Sequence, residues 1–305
     1  MGREPAAGES ARVRDTARGR YLWGIWWMLL TGLLFVGVTG VVRHLGTDMN
    51  PMQAAFIRYA FGIALIAPVL LRMVASGTRP SRVGLHMLRG VAHGVAVMLW
   101  FFAMARIPIA QVTAIGFTTP IFTAIGAAIY LGERLHARRI AAVVVSFLGT
   151  LIILRPGAVD IELGALAQLA AAPLFACSFL IAKKLTETES SASIVAYMSV
   201  FVTLALLPPA LLVWRTPTLT ELGWLFVTAV FATAGHYTFT RAMQAVELTV
   251  LQPFSFLQLV WATLLGLYAF SEVPDVWTLT GGAIIVASVT YIAHREARAI
   301  DHRSS

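Results

Sequence analysis

The chain has 305 residues, 58% of them hydrophobic and 12% charged, with a mean hydropathy of +0.77 and a net charge of +8. Soluble domains carry about 25% charged residues, so this balance excludes an ordinary soluble fold and points to a membrane-embedded chain. The basic residues are scattered between apolar runs rather than clustered on one element, which argues against nucleic-acid binding.

Residues 1–20 are polar, carry five arginines, and read as a disordered cytoplasmic tail. The apolar run after them is too long for a signal-peptide core and has no A-x-A-like cleavage site, so it reads as a retained first span. About 20 apolar residues cross a bilayer core. The candidate spans in order are 21–42, roughly 52–74 (interrupted by Arg58), 90–105 extended back through Arg89 and His86, 107–132, 140–154, 163–182, 190–214, 222–240, 248–271 and 276–294. The run 140–154 is long enough only if its flanking arginines snorkel. Residues 295–305 form a second polar tail. The single cysteine, Cys177, lies within a span and has no second thiol for a disulfide or a metal site.

Ten spans with an inside N-terminus place seventeen Lys and Arg on the inside. Only Arg43, Arg106, Arg155 and Arg215 fall outside, and Arg58 and Arg89 lie within spans. The bias sits in short loops, where the positive-inside rule is strongest. Both termini are therefore expected in the cytoplasm, and the protein in the inner (cytoplasmic) membrane of its cell. A shift of 139 residues places Glu133 on Glu272, Phe117 on Phe256, and Ala103-Met104 on Ala242-Met243. Five spans precede residue 160 and five follow. An odd number per repeat turns the halves in opposite senses, the architecture of secondary transporters with a midplane site. Glu133 is followed by arginines and Glu272 is not, as inside and outside loops require.

The stretch AMARIPIAQVTAIGFTTPIFTAIGAAIYLGERL, followed by a span ending LIILRPG, resembles the first EamA repeat of the drug/metabolite transporter superfamily. AMQAVELTVLQPFSFLQLVWATLLGLYAFSEVPDVWTLTGGAIIV resembles the second. The resemblance covers roughly residues 21–294. It implies an all-α integral membrane fold, ten helices in two inverted five-helix repeats (21–157 and 158–294), and alternating access. The look is nearest to bacterial metabolite carriers of S-adenosylmethionine, riboflavin or amino-acid type.

Ionisable groups inside a span are functional candidates by default. Arg58 either snorkels or bonds neighbouring carbonyls, or it lines a cavity. On span 3, His86, Arg89, His93 and Trp100 share one helical face. His93 is the deeper candidate, with Trp100 beyond it, while His86 and Arg89 also suit interfacial anchors. Span 4 carries Gln111, Thr118 and Thr119. Span 8 carries Thr233, His236, Tyr237 and Thr240, where His236 and Tyr237 lie near mid-span and need partners. Span 9 carries Gln252, Ser255 and Gln258 at spacing three, then Trp261. The substrate-binding set is therefore Arg58, His93, Trp100, Gln111, Thr119, His236, Tyr237, Gln252, Ser255, Gln258 and Trp261. Pro120 and Pro253 interrupt the hydrogen-bond ladders of spans 4 and 9. Trp23, Trp26 and Trp27 fit an aromatic belt. Gly90, Gly94, Gly281 and Gly282 fit close helix packing.

No Asp or Glu lies in mid-span. This argues against proton-coupled export of drug-like cations and favours a neutral, zwitterionic or anionic solute. A cation held on Trp and Tyr faces keeps S-adenosylmethionine open. No phosphate loop, paired cysteines or HExxH occurs, so no enzyme activity, cofactor or metal is expected. The partners are a small solute and the bilayer, with a homodimer left open. The competing classes are a membrane-embedded enzyme and a channel.

Overall fold

The computed structural model describes residues 7–46, 49–77, 80–107, 109–116, 118–132, 137–155 and 163–271, and of the last segment 273, 276–277, 279–284, 286–288 and 290–291. These residues contain helices and no strand. The helices are α1 (Ala7–Leu45), α2 (Pro51–Ala75), α3 (Val83–Met104), α4 (Ile109–Gly116), α5 (Thr118–Gly126) with a π-helical turn at Ala127–Leu131, α6 (Ala137–Leu154), α7 (Leu163–Leu185), α8 (Ser191–Leu212), α9 (Leu219–Ala245), α10 (Leu248–Ser255) and α11 (Leu257–Phe270). The helical residues within 276–291 are termed α12.

Five helical stretches are long and apolar enough to cross a membrane: Gly19–Leu45 of α1, then α2, α3, α7 and α8. Helix α9 is long enough, at about 40 Å, but Thr233, His236 and Thr240 lower its hydropathy. The pairs α4–α5 and α10–α11, with α6 and α12, supply the remaining apolar segments, so the protein is an all-α, ten-span membrane fold. Its outer surface agrees: Met87, Leu88, Val91 and Val95 of α3 all face outward.

Local chemistry sets the helix ends. Asn50 caps α2, accepting from the Met52 N–H at 3.0 Å, and Pro51 occupies the first turn, where its missing N–H costs nothing. Ser190 caps α8 through the Ser193 N–H at 3.1 Å. Thr218 and Glu221 form a reciprocal capping box at α9. Gly132, at φ 68°, ends the π-helical turn in the left-handed region that glycine adopts freely. Residue 253 has no N–H. Phe256, three residues on, is a turn residue whose carbonyl accepts from the Leu259 N–H at 3.1 Å, separating α10 from α11.

The direction of each helix follows from which ends meet. At one pole, termed basic, Lys183 at the end of α7 donates to the Met243 and Val246 carbonyls at the end of α9 (2.5 and 2.8 Å). The start of α3 meets the α7–α8 turn there through His86 and Glu189. Gly24 of α1 packs on Val246 at the same pole. At the opposite pole, Arg43 at the end of α1 donates to the Met104 and Ile107 carbonyls beyond α3 (3.2 and 3.4 Å). Gln53 of α2 meets Arg215, and Gly164 at the start of α7 lies against Ile107. Thus α1 leaves the basic pole while α7 arrives there. Helices α2 and α8, and α3 and α9, are opposed in the same way. The packing partners repeat this relation: α1 lies on α9 and α7 on α3, while α2 meets α8 across the centre. These are two five-span repeats, inverted.

Several expectations are corrected. Within the segment read as a tail, α1 starts at Ala7. Residues 9–18 contain no Gly or Pro and include three Arg and two Ala, good helix formers, so they extend a helix already nucleated by the span. Gly90 does mark close packing, since a Cβ there would lie 2.9 Å from the Phe201 backbone, but Gly282 meets nothing within 4 Å. Glu133 and Glu272 lie outside the described residues.

Candidate functional site

A cavity of about 210 Å³ lies at the centre of the bundle, between the two halves. Its walls come from both. Helix α1 presents one face, Met28, Thr31, Phe35 and Thr39, at helical spacing. Thr31 fixes this face to α9 through a 2.8 Å hydrogen bond to Thr238 Oγ1. Gly235 lets α9 come close, since a Cβ there would sit 2.9 Å from the Phe35 ring.

Two histidines meet in the wall. The rings of His93 and His236 are 5.0 Å apart and tilted by 73°. His93 Nδ1 shares a 2.9 Å hydrogen bond with Ser178 Oγ of α7. Its ring also lies 5.3 Å from Phe175, while His236 lies 5.2 Å from Phe35. Phe175, Phe179 and Phe239 continue as a run of ring contacts at 6.1 and 4.9 Å. Each imidazole is thus flanked by rings on both sides.

Arg58 is the only charged side chain among the residues described as lining the cavity. It is 5% exposed, and its guanidinium carbon lies 3.8 Å from the centre of the Tyr59 ring. No described carboxylate lines the space, and no group of three or more potential metal ligands occurs among the described residues. The arrangement can hold a flat, partly polar solute against rings and hydrogen-bonding groups, with one fixed cation.

The predicted set divides. Arg58, His93, Trp100, Thr119, His236, Ser255 and Gln258 line this one cavity, although they come from α2, α3, α5, α9, α10 and α11. Tyr237 does not line it. One residue from His236 is a turn of about 100°, which carries Tyr237 to the packing around Ile66, Val195 and Ala196. Trp261 also falls outside, in the seam between α1 and α11, where it faces Gly32. The side chains of Gln111 and Gln252 lie outside the described set. On α3 the polar face divides by depth. His93 and Trp100 reach the cavity, whereas His86 pairs with Glu189 at 3.0 Å and Arg89 donates to the Ile194 carbonyl at 3.2 Å.

The sequence reading missed α1 and α7. Thr31, Phe35 and Thr39 form a face at helical spacing that could have been noticed. Gln168, the one amide of α7, is 3% exposed and also lines the cavity. The phenylalanines of α7 carry no signal that separates them from ordinary packing residues.

Comparison with known proteins agrees with this architecture. The profile of the EamA-like transporter family matches residues 22–155 and again 162–293. An S-adenosylmethionine uptake transporter of Rickettsia bellii is 29% identical over 283 residues, covering 93% of this chain and 97% of that protein. A riboflavin transporter of Vibrio cholerae is 31% identical over 282 residues, covering 91% and 95%. A crystal structure at 22% identity superposes with a TM-score of 0.70, over 92% of this chain and 98% of its own, and shows the same fold.

Proposed function

The chain belongs to the EamA-like transporter family, and from that premise we propose that it is a secondary carrier that moves its small-metabolite solute by rocking the inverted repeats about the central cavity. The observation that carries this reading is the cavity itself, bounded by corresponding helices of two oppositely directed halves. The solute is a neutral, zwitterionic or anionic metabolite with a flat ring, because the described lining offers rings, amides and a guanidinium but no acid. The relatives' named solutes, S-adenosylmethionine and riboflavin, both carry such a ring system. The membrane is the cytoplasmic one, with the basic pole and both termini inside, in accord with the distribution of Lys and Arg. The protein acts as a carrier and not as an enzyme.

Counterflow in proteoliposomes tests this reading. Vesicles preloaded with unlabelled S-adenosylmethionine or riboflavin should accumulate the labelled solute transiently, with saturation. A channel would equilibrate label without overshoot. His236→Ala and Gln258→Ala should each abolish the overshoot at unchanged expression; intact transport in both variants would remove this cavity from the mechanism.

A further inference from the structure

We propose that the cavity contains a carboxylate-docking subsite centred on Arg58 and opposed by an aromatic slot, so that the favoured solute joins a carboxylate to a flat ring. This deepens the carrier reading and rests on it. Arg58 stands seven residues into α2, about 10 Å from its start, and lines the cavity while 5% exposed. A guanidinium does not lose its proton in a protein, so burial leaves a charge that must be met. No described ion pair meets it. The Tyr59 ring beneath it offers a quadrupole, not a counter-charge.

A carboxylate fits this vacancy better than a point anion does. The guanidinium presents parallel N–H donors at the spacing of two carboxylate oxygens.

The remaining wall suits the rest of such a solute. Phe35, Phe175, Phe179, Phe239 and Trp100 supply ring faces and edges. The amide of Gln168 is held beside Gly116, where an added Cβ would lie 3.0 Å from Nε2, and its Oε1 is buried with no partner among the described residues. Gln168 thus adds an amide to the cavity wall. Carboxylate and ring together describe an aromatic amino acid or an amino acid joined to a nucleobase. A compound cation without a carboxylate would leave Arg58 unmet.

Matched pairs test this in the purified full chain, read as melting temperature against concentration. The probes are indole-3-acetate with indole-3-acetamide, and S-adenosylmethionine with its decarboxylated form. In each pair the carboxylate-bearing member should bind about 10-fold or more tightly, as expected for charge-assisted hydrogen bonds. Arg58→Lys should keep part of that preference and Arg58→Gln should erase it. Equal binding within both pairs, no shift from either acid, or a preference that survives Arg58→Gln overturns the subsite. A full shift from chloride alone at the same concentration overturns the aromatic half. The wild-type pairs decide the matter even if a variant folds poorly. Acid preference without counterflow would uphold the subsite and defeat the carrier reading, while counterflow without acid preference would do the reverse.

Discussion

The two poles of the molecule are built from corresponding residues, yet they are fastened differently. Each has one cation that staples a repeat to itself. Arg43 holds the carbonyls of Met104 and Ile107, and Lys183 holds those of Met243 and Val246. These carbonyl pairs are separated by the same 139 residues that relate the repeats in sequence. Both cations sit where a helix end leaves carbonyls unbonded, which is where positive charge is favourable. The staples are therefore equivalent, and the inverted repeat is visible in side-chain chemistry as well as in helix order.

The links between repeats are unequal. At the basic pole, Glu189 accepts from the Ser81 N–H and hydroxyl and pairs with the buried His86. The Ser81 hydroxyl also shares a 3.2 Å hydrogen bond with Thr188, and Arg89 donates to the Ile194 carbonyl nearby. At the opposite pole, the corresponding link is the Gln53 amide bonded both ways to the Arg215 backbone. Among the described residues, several hydrogen bonds, some with charge, link the repeats at the basic pole, and the Gln53–Arg215 pair links them at the other. Among the described residues the basic pole is the more heavily linked, which acts as a seal over that end.

The largest expected effect is therefore at Glu189. Glu189→Ala leaves His86, 0% exposed in its side chain, without its partner. Leaving a buried hydrogen-bonding group without its partner costs about 1–3 kcal/mol, and a melt of the purified protein should show it. A thiol reagent applied from the basic side should also reach a cysteine placed at Tyr197 faster in this variant. Unchanged labelling would refute the seal. Next, Arg43→Met and Lys183→Met should each cost about 1–2 kcal/mol, since each strips a helix end of its cation. A marked inequality between them would break the equivalence of the staples. Gln53→Leu should cost about 1 kcal/mol and speed labelling from the opposite side alone.

The smallest effect belongs to Glu221. The Arg215 guanidinium beside it and the Thr218 N–H hold its carboxyl down to about 2, below the ordinary 4.5. The folded value is depressed, so the stabilisation is complete above pH 4.5 and is lost as pH falls towards 2. Glu221→Gln should therefore cost about 0.5–1 kcal/mol at pH 7, as capping changes do, and the difference from wild type should vanish near pH 2. Melting curves across that range check it.

The amino-acid sequence by itself determined the ten apolar spans and, through five spans per repeat, the inversion, because crossing a bilayer depends on length, apolarity and flanking charge. It also marked Arg58, His93, His236 and Gln258, because polar groups in apolar runs stand out without any knowledge of neighbours. Only the tertiary structure decided which of these meet. His236 faces the cavity and Tyr237, next to it, does not, since adjacent helical residues diverge by about 100°. Trp261 became packing for α1, while Thr31, Phe35, Gln168 and Phe175 became lining. A phenylalanine in an apolar span looks the same in sequence whether it faces lipid, core or solute, and helix packing alone separates those fates.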